Sequence, residues 1–316
     1  MNPRATTTSP RVVDVIVHAF SAELDLDVTV TTHRGHGIAL GERARSEGMD
    51  VVVTLGGDGI VNEVVNGLLG QGSPDDEATP GSPAQDRVPM LAAVPGGSAN
   101  VFARALGLPN DAVEATGVLL ESLRDGRARS IGVGRAGDRW FLANAGIGID
   151  AEIIASMEEH RSAGRAATPL RYVTTTLAAY FRRTDRRHPA LTLHRQSGIG
   201  DGVTEGVFFA VVQNAAPWTY LGSLPINPCP DASFDTGLDV FALRGLKVPT
   251  ALVAASRMLR GSGRSTARGA LVTWHDQDAF TVTADRPMAL QIDGEGMGTT
   301  TGVRFTAHPE ALRVVC

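Results

Sequence analysis

The first 130 residues alternate short apolar runs with stretches of helical periodicity, and two of the apolar runs end at paired glycines. Val51–Leu55 and Met90–Val94 are almost continuously apolar, as parallel strands covered on both faces are. Ile60–Leu69 and Ala99–Leu106 follow them with helical spacing. This alternation predicts an α/β domain in which crossover helices connect the strands of a parallel sheet.

Other segments of the same region fit this architecture. Leu26–Thr31 alternates as a strand does, Gly37–Glu47 has helical spacing, and Val12–Phe20 fits a helix better than a strand. Gln71–Pro89 is rich in Pro, Ser, Asp and Gly, which predicts a surface loop.

Beyond residue 130 the pattern changes to short strands separated by turn residues. Two helical stretches interrupt them, Leu170–Arg183 and Pro249–Arg260. We therefore predict an α/β domain over residues 1–130 and a β-rich sandwich or barrel domain over residues 131–316. The predicted strands of the second domain are Arg139–Asn144, Ala190–Arg195, Val207–Gln213, Leu238–Leu243, Ala270–His275, Phe280–Ala284, Met288–Asp293 and Val303–Ala307.

The bulk composition narrows the class of protein. The net charge of −5 does not suggest a nucleic-acid-binding protein. Cys229 and Cys316 lack metal-ligand spacing, so we expect two free thiols in a reducing compartment. The chain shows no signal-peptide pattern and no apolar run near the ~20 residues of a membrane span. We expect a cytoplasmic protein that reaches any lipid from the aqueous side, peripherally at the inner membrane face.

The loop Gly56-Gly57-Asp58-Gly59 lies between a predicted buried strand and a predicted helix. Glycines allow a ligand to approach the backbone closely, and a helix start offers free N–H groups, so the loop suits a phosphate. Asp58 could bind a metal, take a proton, or simply cap the helix.

Two further motifs can likewise be interpreted either as parts of a binding site or as ordinary local structure. Pro95-Gly96-Gly97-Ser98-Ala99-Asn100 repeats the strand–turn–helix pattern, and Ser98 and Asn100 suit either a nucleotide or a helix cap. Gln291-Ile292-Asp293-Gly294-Glu295-Gly296 could form a plain surface turn.

Taken together, the motifs resemble the diacylglycerol kinase catalytic family, which includes bacterial lipid kinases and sphingosine kinases. The resemblance is carried by Gly-Gly-Asp-Gly-x-x-Asn-Glu-Val-Val-Asn-Gly, by Pro-Gly-Gly-Ser-Ala-Asn-x-Phe-Ala-Arg and by Asp-Gly-Glu. Asn144–Ala151 and Pro230–Asp239 are similar to two further family segments. The resemblance implies a fold similar to that of NAD kinases, with a β-rich second domain.

The resemblance also implies roles for individual residues. Glu295 would accept the proton of a lipid hydroxyl with support from Asp58, and Mg²⁺ would neutralise the phosphates. A second, structural metal site would involve Ser233, Thr236 and Leu238, and we expect it to be weak because Thr236 replaces a carboxylate. The residues implied in ATP binding are Asn2, Thr31, Gly56, Gly57, Asp58, Gly59, Asn62, Glu63, Ser98 and Asn100.

The resemblance predicts ATP-dependent phosphorylation of a lipid hydroxyl, as in phospholipid biosynthesis. The acceptor could be diacylglycerol, a sphingoid base or another lipid alcohol. An enzyme similar to NAD kinases and a non-catalytic nucleotide- or lipid-binding relative remain open, as does a homodimer. Because only Met1 precedes Asn2-Pro3, we expect the first strand of the α/β domain to be missing and ATP binding to be weaker than in a version extended upstream.

Overall fold

The structure is a computed structural model, and it describes residues 1, 9–70, 88–148, 188–195, 202–245, 248–260 and 269–316. By their contacts these residues form two compact units. The first comprises Met1–Val133, Asp138–Trp140 and Pro309–Cys316, and the second comprises Gly134–Gly137 and Phe141–His308. The last eight residues of the chain therefore pack with the first unit, whereas the sequence placed them in the second domain.

The first unit is built on short parallel strands with helices between them. Val51–Gly56 (β1) pairs in parallel with Met90–Pro95 (β2), and Leu91 of β2 pairs with Val314 near the end of the chain. The other elements in chain order are Pro10–Ser21 (α1), His36–Ser46 (α2), Asp58–Leu69 (α3), Val101–Ala105 (α4), Ala112–Arg124 (α5) and Ala128–Ala136 (β3), the last of which continues into the second unit. The predicted α/β architecture is thus confirmed.

Helices α2 and α3 pack at unusually short range, because glycines face each other at their contact. A Cβ atom on Gly41 would lie 2.3 Å from the carbonyl oxygen of Val64, and one on Gly67 would lie 2.0 Å from that of Ile38. A side chain at either position would force the helices apart. The close packing holds the start of α2 against Glu63 of α3, which matters for the candidate site.

The second unit is dominated by antiparallel strands. Neighbouring strands in its sheet are β13, β5, β8, β11 and β12, while β6 pairs with β13 and β7 with β6. The elements after β3 are Arg139–Phe141 (β4), Asn144–Ile147 (β5), Leu191–Arg195 (β6), Gly202–Val207 (β7), Phe209–Gln213 (β8), Thr219–Leu221 (β9), Leu224–Ile226 (β10), Leu238–Leu243 (β11), Val248–Arg260 (α6), Leu271–Gln277 (β12), Ala279–Ile292 (β13) and Glu295–Val315 (β14).

The central strands of this sheet are buried on both faces. Successive side chains of a strand point to opposite faces, and β11 divides accordingly. Leu238, Val240 and Ala242 join one apolar cluster, whereas Phe241 and Leu243 join another. This explains why β11 is apolar at every position except Asp239 although its neighbours are antiparallel, and it confirms the predicted β-rich region.

Several predicted elements differ from the structure. Leu26–Thr31 is not a strand in the described part of the chain, where Thr29 accepts from the amino group of Met1 and the N–H of Thr31 donates to the Met1 carbonyl oxygen. The strands predicted over Phe280–Ala284 and Met288–Asp293 form one strand, β13, with a register shift between them. The predicted helix Leu170–Arg183 and most of the predicted loop Gln71–Pro89 lie outside the described residues.

Candidate active site

The two glycine loops touch at the carboxyl ends of β1 and β2. The N–H of Gly96 donates to the carbonyl oxygen of Gly56 at 2.8 Å, which continues the parallel ladder into the loops. A Cβ on Gly97 would lie 2.5 Å from the Cα of Gly57, and a Cβ on Gly57 would lie 3.2 Å from the Cα of Gly97. A side chain at position 97 would therefore force the loops apart, whereas one at position 57 would be tight, and the loops present bare backbone at the edge where α/β sheets bind ligands.

Asp58 ties the first glycine loop to the second. Its carboxylate accepts hydrogen bonds from the N–H groups of Val101 and Phe102, each at 3.0 Å. These are the first two residues of α4, so Asp58 caps a helix that belongs to the neighbouring loop. Its own helix, α3, starts after Gly57, and Asp58 lies in the first turn near the positive end of that helix.

The second loop is fixed by the side chain of Asn100. This residue has a left-handed backbone, with φ of 49°, and only 3% of its surface is exposed. Its amide oxygen accepts from the N–H of Gly97 and its amide nitrogen donates to the carbonyl oxygen of Gly97, both at 2.8 Å, and to Asn110. Asn100 thus shapes the loop from inside, whereas Ser98 is exposed on its surface.

Glu63, which the resemblance implied in ATP binding, is buried and caps α2. Its two carboxylate oxygens accept from the N–H groups of Gly35 at 2.7 Å and Gly37 at 2.9 Å. Thr31 is buried, and its N–H and its hydroxyl group both donate hydrogen bonds to the carbonyl oxygen of Met1. Asn2, implied in the same site, lies outside the described residues.

Asn62 and Asn66, one turn apart on α3, are also buried and bind the backbone of Trp140. The Asn62 amide donates to the Trp140 carbonyl oxygen at 2.9 Å, and the Trp140 N–H donates to the Asn66 amide oxygen at 3.0 Å. The two amides bond each other at 3.1 Å. Asn62 therefore braces β4, a structural role that the sequence did not indicate.

In the second unit, the Asp-Gly-Glu motif forms the tip of a β-hairpin. Asp293 and Gly294 have φ of 45° and 86°, and they join β13 to β14 as a two-residue turn in which Ile292 pairs with Glu295. Positive φ at both turn residues is the type I′ geometry, for which Asp-Gly is a favoured sequence. Glu295, the proposed proton acceptor, is the first residue of β14 and is half-buried.

The Asp293 side chain anchors this turn to the segment that leads into β5. Its Oδ2 accepts from the N–H of Leu142 at 2.8 Å, and its Oδ1 accepts from the N–H groups of Ala143 and Asn144, both at 2.9 Å. The Asp293 N–H donates in return to the carbonyl oxygen of Asn144 at 2.8 Å. This role of Asp293 was not predicted from the sequence, although the Asp-Gly pair between two alternating runs was the signal for the hairpin itself.

The three residues proposed for a structural metal do not fit a hard cation. Ser233, Thr236 and Leu238 offer no carboxylate, and the Ser233 carbonyl oxygen already accepts from the N–H and hydroxyl of Thr236, each at 3.1 Å. The loop is instead fastened by Asp276, which accepts from the N–H of Gly237 at 2.6 Å. Among the described residues no group of three or more His, Cys, Asp or Glu side chains is arranged to hold a metal ion.

Next to this loop, Asp239 is buried on β11. Burial raises the pKa of Asp239, while the N–H of Asp276 and the imidazole of His275, 2.8 Å from its Oδ1, oppose that shift. Burial also raises the pKa of Cys229 well above its usual value, so this thiol is unreactive. No described helix is both long and apolar enough to cross a membrane.

Within the first unit, the structure brings together most of the predicted nucleotide-binding residues. The Gly56–Gly59 loop adjoins Ser98 and Asn100, while Glu63 lies one turn along α3 and holds the start of α2. Backbone N–H groups at a helix start between glycines are suited to phosphate. Glu295 and the 233–238 loop belong to the second unit.

The comparisons with known proteins agree with this geometry. A "Probable lipid kinase YegS-like" from Chromohalobacter salexigens is 36% identical over 147 residues, which are 46% of this chain and 42% of that protein. A "Diacylglycerol kinase" from Staphylococcus aureus is 30% identical over 129 residues, 41% of this chain and 35% of that protein. The matched part thus spans less than half the length of these curated relatives.

The structural likeness extends much further along the chain. A crystal structure of a diacylglycerol kinase from Bacillus anthracis covers 99% of this chain and 94% of its own, with a TM-score of 0.69 and 18% identity. At that identity the likeness establishes the fold. The sequence of residues 1–136 matches the model of the diacylglycerol kinase catalytic domain. The predicted resemblance is therefore confirmed, and residues 1–136 are the part of the chain that is similar to the diacylglycerol kinase catalytic domain.

Proposed function

We propose that this protein transfers the γ-phosphoryl group of ATP to the hydroxyl group of a lipid, with diacylglycerol as the first acceptor to test. The proposal rests on the close contact between Gly57 and Gly97, which leaves the backbone at the ends of β1 and β2 uncovered by side chains. Both glycines lie inside the region that matches the family model. The names of the curated relatives support the same class of reaction.

In this proposal the ATP phosphates lie against the loop Gly56–Gly59 at the start of α3. Ser98, exposed on the adjoining loop, contacts the nucleotide directly. Thr31, Asn62, Glu63 and Asn100 act mainly by holding the surrounding backbone, because the structure engages their side chains in internal hydrogen bonds. Asn2 is proposed for the same site from the resemblance alone.

Glu295 is proposed as the acceptor of the lipid hydroxyl proton. Phosphoryl transfer depends mostly on positioning and charge neutralisation, so a single half-buried carboxylate suffices for the proton. Mg²⁺, when bound, neutralises the phosphate charge, and it would take its ligands from phosphate oxygens, water and the carboxylate of Asp58. Asp58 contributes besides by keeping the two glycine loops together.

The direct test uses ATP labelled in its γ-phosphate and a panel of acceptors presented to the purified chain. The panel contains diacylglycerol, monoacylglycerol and a sphingoid base in detergent micelles, with NAD in solution. Label in a lipid product, dependent on Mg²⁺, is the expected result. Label in NAD alone would replace the proposal by a dinucleotide kinase, and ATP binding without label in any acceptor would indicate a non-catalytic relative.

A further inference from the structure

We infer that Asp293 is a positioning residue for the reaction, which fixes Glu295 by binding three consecutive backbone N–H groups with its carboxylate. The inference rests on the proposed function, because it takes Glu295 as the proton acceptor. It assigns to the aspartate of the Asp-Gly-Glu turn a task separate from proton transfer.

The geometry around Asp293 requires an anion. The N–H groups of Leu142, Ala143 and Asn144 converge on its two oxygens at 2.8 to 2.9 Å. Consecutive N–H groups that point into one concavity form an anion-binding arrangement, and an ionised carboxylate is an acceptor at both oxygens. An amide in its place would turn a donating NH₂ group toward at least one of these N–H groups.

The same contacts determine where Glu295 lies. Only Gly294 separates the two acidic residues, and Ile292 pairs with Glu295 across the turn. Strand β13 is also paired with β5, through Ile292 with Ala145. Asp293 therefore fixes the first residue of β14 relative to the start of β5.

Gln291 supplies a second, weaker fastening of the turn. Its amide oxygen accepts from the N–H of Gly294 at 2.8 Å, and its amide nitrogen donates to the side chain of Asn144 at 3.1 Å. Because this contact and the β-ladder remain after Asp293 is changed, the hairpin should survive while its tip loosens. A displacement near 1 Å in a reacting group is enough for a loss on the order of 10²-fold in rate.

The kinetic signature follows from this coupling. Asp293→Asn is expected to lower kcat about 10- to 100-fold while the affinity for ATP stays unchanged. If Asp293 acts through Glu295, the double variant Asp293→Asn with Glu295→Gln should be no slower than Glu295→Gln alone. A general structural role would instead multiply the two losses.

The experiment compares five proteins: the unchanged chain, the two single variants, the double variant and Asp285→Asn. Asp285 is an exposed aspartate of the same strand paired with Arg286, so its substitution controls for loss of a charge there. Labelled phosphate transfer to diacylglycerol in micelles gives kcat, and calorimetric titration with ATP gives Kd. Non-additive losses with unchanged ATP affinity are expected. Normal kcat in Asp293→Asn, or losses that multiply, would overturn the inference.

Failure of the proposed function has a different outcome. It would appear as no labelled lipid from the unchanged chain, or as full turnover by Glu295→Gln. Hydrogen exchange then still tests the structural half: the amides of Leu142, Ala143 and Asn144 should exchange faster in Asp293→Asn than in Asp285→Asn. Equal protection in both variants would refute the anchoring itself.

Discussion

The two units of this protein each use an aspartate to bind backbone N–H groups, but they use it on different kinds of backbone. In the first unit, Asp58 caps the start of helix α4 and draws two glycine loops together. In the second, Asp293 binds the irregular segment before β5 and holds a hairpin tip. From this difference we propose a division of tasks, in which the first unit would present backbone to a nucleotide and the second would fix a side chain that takes a proton.

In both motifs the aspartate is engaged in local structure through hydrogen bonds from backbone N–H groups. Hydrogen bonds to a charged group contribute about 1.5–3 kcal/mol each, so two or three of them fix a loop firmly. The neighbours then perform the proposed chemistry: the glycines beside Asp58 contact phosphate, and Glu295 beside Asp293 takes the proton. The following predictions test this division.

The largest effect is expected at Glu295. Glu295→Gln keeps the size of the side chain but removes its basicity, so turnover should fall on the order of 10²–10⁴-fold while ATP affinity stays the same. Glu205→Gln, at an exposed glutamate of β7 in the same unit, is the matched control and should leave turnover unchanged. Initial rates with labelled ATP measure both, and a near-normal rate in Glu295→Gln would remove the assignment.

The glycine contact gives the next prediction. Gly97→Ala places a Cβ 2.5 Å from the Cα of Gly57, so the loops must separate, and ATP affinity should fall at least 10-fold. Gly117→Ala is the control, since it lies on α5 with nothing within 4 Å and should stabilise the protein by up to about 1 kcal/mol. Calorimetric titration and thermal unfolding distinguish them. Unchanged ATP affinity in Gly97→Ala would show that the loops can adapt.

Asp58→Asn should weaken ATP binding about 10-fold or more, because one of the two N–H groups that start α4 loses its acceptor. Asp111→Asn offers a sharp comparison. Asp111 is an exposed N-cap of α5 that accepts from Val113 and Glu114, and asparagine caps helices as well as aspartate does. If Asp58→Asn, like Asp111→Asn, left ATP affinity unchanged, Asp58 would not be needed to hold the two glycine loops together.

A smaller, pH-dependent effect is expected in the second unit. Burial, together with Arg135, lowers the pKa of His308 from its usual 6.5 to about 4. The folded chain then binds this proton less readily than the unfolded chain, so stability present above pH 6.5 is lost as the pH falls toward 4. The loss should be on the order of 1–3 kcal/mol, reduced because the imidazole is only partly buried. The free energy of unfolding, measured with urea at several pH values, should depend less steeply on pH in His308→Gln than in the unchanged chain. The same slope in both proteins would exclude His308 as its source.

The elements that the sequence predicted well are those defined by short-range patterns. Apolar runs followed by glycine pairs predicted β1 and β2, and helical spacing predicted α2 and α3. Asp285-Arg286-Pro287 lies between the two segments of β13 that were predicted as separate strands. Proline is tolerated in a strand at an irregularity, and the structure places one there, between Thr283 and Met288.

The partners of the two aspartates could not be predicted in the same way. Asp58 bonds residues 43 and 44 positions away, and Asp293 bonds residues about 150 positions away. Such distances depend on how the whole chain folds, whereas periodicity reports only on neighbours. For the same reason the internal bonds of Asn62 and Glu63 were not foreseen, although both residues lie in a motif that the sequence singled out.

The division of tasks is tested most directly by measuring kcat and the Kd for ATP in Asp58→Asn and Asp293→Asn side by side. The account predicts that Asp58→Asn raises the Kd for ATP, whereas Asp293→Asn leaves that Kd unchanged and lowers kcat for phosphate transfer to diacylglycerol. If the two variants altered the same constant to the same extent, the two aspartates would not serve separate tasks, and the account would be contradicted.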